Sequence, residues 1–252
     1  MRARPPLFEL FNPAVKKVDA RSIVMNLTSV AYHGLEDKGT QMLSDHINDV
    51  RDAAAAMYHG KIPRAEFDHL RLLAEAHEVG EIKDKNKKVI WTRERLLSFR
   101  HQKQPVPSAI VEGILRLAKK EGQPYLNYIH EIAYDVHCLR AKRADLRVNQ
   151  SPDREKLNPE ETSATFKDKK TFLYPCADAY LAAVESGAVD PRLTTPFEYI
   201  TSQPSLVALI PGGDAGRLKA YWKADYTPPV APKSRTSRLI DSLASGMRSL
   251  TL

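Results

Sequence analysis

Four lysines, Lys83, Lys85, Lys87 and Lys88, crowd one polar turn in the stretch Glu81-Ile-Lys-Asp-Lys-Asn-Lys-Lys-Val-Ile-Trp91, and Arg93 and Arg95 follow at once. Cations grouped on a turn suit contacts with phosphate oxygens, each of which releases counterions and is sensitive to salt. From Glu81 to Lys103 eight Lys or Arg residues stand against three acids. The tail from Pro228 to Leu252 carries four against one. The chain as a whole has a formal charge of +7, so its excess of positive charge is concentrated in these two places.

Residue patterns for catalysis are absent. No G-x-x-x-x-G-K-[ST] loop, G-x-G-x-x-G turn, G-x-S-x-G elbow or H-E-x-x-H pair occurs. Gly212-Gly-Asp-Ala-Gly216 reads as a turn with a helix cap. His130, Tyr134 and His137 fall along one side of a helix, but the two imidazoles are ~10 Å apart on its axis, too far to share one metal without partners from another helix. The other histidines are scattered and read as structural or solvated. Cys138 and Cys176 form no C-x-x-C pair. The sequence therefore predicts no metal site and no cofactor, and gives no positive reason to expect an enzyme.

The elements that position the lysine turn follow from period and punctuation. A chain of 252 residues with 42% apolar and 27% charged residues has ordinary globular composition. Asp19 caps a first helix with Ile23, Leu27, Val30 and Ala31 on one face. A second runs to Tyr58 through Leu43, Ile47, Val50 and Ala53–Ala56. Pro63 opens a third carrying Phe67, Leu70, Leu73 and Ala74. Two brief strands then enclose the lysines. Three helices and a hairpin is the order of a winged helix-turn-helix, with Arg64, His69 and Arg71 facing a groove, although Glu66, Asp68, Glu75 and Glu78 on the same helix oppose a polyanion. Thr92 caps a fourth helix, Ser108 opens a fifth, and Pro124 starts the longest, to about Val148.

The expected architecture is mainly α: a multi-helix bundle with one short β-hairpin, a smaller C-terminal helical region and a flexible tail. Residues 1–148 form the N-terminal helical domain, 149–170 a loop or linker, 171–226 the small helical region, and 227–252 a Pro-rich tether with a terminal helix. In that last helix Leu239, Leu243, Met247 and Leu250 share a stripe with Ile240 beside it, a form suited to a partner's groove. No run approaches the ~18 apolar residues of a membrane span, and no secretory leader is apparent, so a cytoplasmic location is expected. The leading functional expectation is a non-enzymatic DNA- or RNA-associated accessory protein. It would contact phosphates through Lys83, Lys85, Lys87, Lys88, Arg93 and Arg95. The alternative is an assembly component docking on a protein partner through its C-terminal helix.

Overall fold

A computed structural model describes residues 18–33, 43–151 and 168–226. The chain is mainly helical, with one short antiparallel pair of strands. The arm before Val18, most of the 149–170 stretch and the tail holding Leu239, Ile240, Leu243, Met247 and Leu250 lie outside the described residues. No described helix is long and apolar enough to cross a membrane.

Helices α1 (Ala20–Tyr32), α2 (Leu43–Tyr58) and α3 (Arg64–Ala76) come first. The Asp19 side chain accepts the Ser22 amide at 2.7 Å and caps α1 as its sequence predicts. After α3 the chain makes a single 3-10 turn, Val79–Glu81. The lysine turn is held by one bridge, Lys83 to Val89. Its organiser is Asp84, whose carboxylate accepts the amides of Asn86 and Lys88 at 2.8 and 2.9 Å. The regular pair of strands lies further on, β1 (Arg100–His101) against β2 (Gln104–Pro105), between α4 (Arg93–Ser98) and α5 (Ser108–Leu117).

The long helix expected from Pro124 is two: α6 (Tyr125–Ile132) and α7 (Val136–Asn149). Asp135 breaks it by turning its carboxylate onto the amides of His137 and Cys138. The apolar residues Leu126, Ile129, Ala133, Val136 and Leu139 continue the helical spacing across the break and hide it, yet Val136 is 43% exposed. Beyond the undescribed stretch come α8 (Tyr174–Glu185), α9 (Pro196–Ser202) and the short α10 (Pro204–Val207).

Helices α2, α3 and α7 pack against one another most extensively, and α8 lies on α7. Their contact surface is apolar at Val50, Ala54, Leu70, Leu73, Ala74, Leu139 and Ala144. Small residues allow the close approach. Ion pairs join the elements at the rim, where Arg140 meets Glu66 and Glu185, and Arg143 meets Asp178 and Glu185. The basic end of α7 is therefore occupied by partners on α3 and α8.

Gly80 sets the position of the 3-10 turn. A Cβ there would lie 2.7 Å from Ala118 Cβ and 3.1 Å from the Ile114 carbonyl. Such a contact forces the turn off α5. Gly80→Ala should lower stability by ~1–3 kcal/mol, as overpacking does, seen as an earlier denaturant midpoint. An unchanged midpoint would contradict this packing.

Candidate metal centre

The helix trio buries ionisable groups at its centre. His46 comes from the core face of α2, one turn after Leu43 and one before Val50, and is 2% exposed. His77 and Glu78 leave the end of α3, where His77 is the C-terminal cap. Asp145 comes from α7 and is also 2% exposed. One ligand atom from each of these four residues lies within 4.8 Å of the others. His46 Nε2 stands 3.4 Å from Asp145 Oδ1 and 3.9 Å from Glu78 Oε1. His77 Nε2 stands 3.4 Å from Glu78 Oε1 and 3.8 Å from Asp145 Oδ1.

These separations suit a cation. Bonds of ~2.0–2.1 Å to nitrogen and oxygen place tetrahedral ligands ~3.3 Å apart, so small inward movements complete a shell. His77 Nδ1 lies 2.7 Å from the Ala74 carbonyl. As a donor to that carbonyl it leaves Nε2 with its lone pair toward the cluster, the tautomer a metal needs. The two rings meet edge to face, 5.3 Å between centroids. Two imidazoles and two carboxylates form a donor set for a borderline divalent ion such as Mn²⁺, Co²⁺, Ni²⁺ or Zn²⁺.

The buried charges of the cluster offset one another. Burial alone would raise the Asp145 carboxyl, but the Lys142 ammonium and both histidines outweigh it and hold the group well below the carboxylate range. Lys142 sits one turn earlier on α7, with Nζ 2.6 Å from Asp145 Oδ2. That contact occupies one carboxylate oxygen, while Oδ1 accepts the Asn149 side-chain amide at 2.5 Å and faces the imidazoles. Burial opposes ionisation of Glu78 as well, and the hydrogen bond and charge of His77 bring its pKa down. Dehydration favours neutral His77, yet Glu78 and Asp145 raise its pKa above the ordinary value.

A cavity of about 150 Å³ opens beside the cluster, lined by all four ligand residues and by Glu81, Lys119, Lys142 and Lys169 together with Tyr125, Tyr128 and Tyr174. In a 3-10 turn residues three apart eclipse one another, so Glu81 shares a side with Glu78. Its Oε1 accepts the Lys119 amide at 2.9 Å. Crowding by protein atoms and the like charges of Glu78 and Asp145 raise the Glu81 pKa. Since Glu81 reaches the surface by area, repulsion is the cause that survives contact with solvent.

The residues expected to bind nucleic acid are in varied states. Arg93 is engaged by Glu112 in a two-pronged pair. Arg95 stacks over Trp91, 4.6 Å from the ring centroid. Lys83 is 3.8 Å from Glu121. Lys85, Lys87 and Lys88 are exposed, with no carboxylate partner among the described residues. His69, assigned to a groove, instead lies 4.6 Å from the His137 ring. His130 and Tyr134 both bond the Pro191 carbonyl, so that polar helix face is structural.

Sequence reading left His46 and His77 among the scattered histidines. The available signal was polar residues on apolar stripes, His46 between Leu43 and Val50, and the compact run His77-Glu78-Val-Gly-Glu81. No fixed spacing links them to Asp145. No protein-family model matches the chain, and no curated protein matches it.

The titrations set opposite pH dependences for the bare and loaded chain. A raised His77 stabilises the metal-free fold below about pH 6.5, and that contribution is lost as pH rises through its folded value. Depressed Asp145 and Glu78 contribute above about pH 4 and are lost as pH falls through their folded values. A cation needs neutral imidazole. At ~100 times its Kd, Mn²⁺ should raise Tm by about 5–10 °C at pH 8 and by far less at pH 5.5. Equal shifts at both pH values, or a shift retained by His46→Gln, would contradict the assignment.

Proposed function

We propose that this protein is a metal-dependent hydrolase of phosphate esters. The observation that carries the reading is the buried set His46, His77, Glu78 and Asp145 beside a cavity lined by three lysines, Lys119, Lys142 and Lys169. A divalent ion held by His46, His77, Glu78 and Asp145 would supply Lewis-acid chemistry, activating water and polarising a phosphoryl oxygen. Glu78, Glu81 and Asp145 balance Lys119, Lys142 and Lys169 around the cavity. A cation thus leaves the site net positive, which favours an anionic substrate.

The chain's own groups divide the remaining work. Lys142 fixes Asp145 as a ligand through one oxygen. Glu81, held by the Lys119 amide, is the acid–base group: it accepts a proton from the attacking water and returns it to the leaving oxygen. The new P–O bond forms as the old one breaks, and the proton count closes.

The test is release of p-nitrophenol from p-nitrophenyl phosphate and bis(p-nitrophenyl) phosphate, with Mn²⁺, Co²⁺, Ni²⁺ and Zn²⁺ in turn. Turnover that disappears in Asp145→Asn supports the reading; no turnover with any ion rejects it. Glu81→Gln should reduce kcat ~10²–10⁴-fold while the affinity for the ion stays within about twofold. Loss of metal binding in that variant would make Glu81 a ligand instead.

A second reading rests on the exposed ammonium groups of Lys85, Lys87 and Lys88, which begin four residues after Glu81. They give DNA or RNA a place to bind beside the cavity. Replacing all three with Glu should cut affinity for labelled nucleic acid at least ~10-fold at low salt and leave the fold intact. Unchanged affinity discards nucleic-acid contact at the turn.

A further inference from the structure

We propose that Tyr125 is a substrate-contacting residue whose hydroxyl donates a hydrogen bond to a non-bridging oxygen of the phosphoryl group in the cavity. The inference rests on the phosphate-ester reading above and names a group that binds the substrate.

Three tyrosines line the cavity, and their hydroxyls are not equivalent. The Tyr128 hydroxyl donates to the Leu117 carbonyl, so it serves the fold. Tyr125 is 7% exposed, and its hydroxyl is buried with no hydrogen-bond partner among the described residues. Buried hydroxyls without partners are uncommon, because dehydration is then uncompensated. At the wall of a polar cavity a ligand oxygen supplies the missing acceptor.

The ring is held where such a contact is reproducible. Its centroid lies 6.2 Å from that of Tyr128 and 5.9 Å from that of Tyr174. The start of α6 is clamped to the C-terminal segment. The Leu126 amide donates to the Tyr221 carbonyl at 2.8 Å, and Asn127 exchanges two 2.9 Å hydrogen bonds with the Lys223 backbone. Burial keeps the phenol protonated, with the Lys142 ammonium acting against it and the nearby Asp145 charge reinforcing it. The group is therefore a donor, and a donor suits a phosphoryl oxygen.

The experiment is isothermal titration of inorganic phosphate into the Mn²⁺-loaded full chain, comparing wild type, Tyr125→Phe and Tyr128→Phe. Removing the Tyr125 hydroxyl should weaken phosphate about tenfold and raise KM for p-nitrophenyl phosphate similarly. Mn²⁺ affinity and Tm should hold. Tyr128→Phe should lower Tm and leave phosphate affinity alone. Equal phosphate affinity in wild type and Tyr125→Phe overturns the assignment of Tyr125 while leaving the hydrolase reading standing. A wild-type chain that binds Mn²⁺ but not phosphate overturns both.

Discussion

The crossing of α2, α3 and α7 depends on one electrostatic condition: Asp145, almost wholly removed from water, must be surrounded by cations or cation acceptors. Lys142 answers one oxygen, and the Asn149 amide and the two imidazoles meet the other. Leaving a carboxylate there without these neighbours would cost several kcal/mol. Apolar side chains of similar volume would fill the same space at less cost. A stability argument therefore does not account for the cluster.

The surrounding fold serves that cluster. Gly80 lets the turn carrying Glu78 and Glu81 press onto α5. Asp135 restarts the helix that delivers Lys142 and Asp145. The clamp between α6 and the segment around Lys223 fixes the tyrosine wall. These devices act at element ends, where a small change in chain direction moves a side chain by ångströms. The Tyr58 hydroxyl, bonded to Glu185, adds a link from α2 to α8 at the rim.

Much of the helical architecture was legible because its signals are local. Asp19 and Thr92 cap where their sequence says, and the apolar face of α3 is buried as its spacing predicts, as are Ile23, Leu27 and Ala31 of α1, whereas Val30, expected on that face, is 55% exposed. The break at Asp135 was not legible, since apolar spacing ran through it and the competing cap is a single residue. The site was hidden for a different reason. His46, His77 and Asp145 are distant in sequence and meet only through tertiary packing. A basic turn stands out in a sequence because its charges are adjacent; a buried ligand set disperses its charges among apolar neighbours. Glu81 belongs to both, opening the lysine stretch and facing the cavity.

Anomalous diffraction from crystals of the full chain grown with Mn²⁺ tests the central claim most directly. A metal held by the cluster gives one strong peak within ~2.0–2.4 Å of His46 Nε2, His77 Nε2, Glu78 and Asp145 Oδ1. A map without density there, or with manganese only on surface carboxylates, would contradict it.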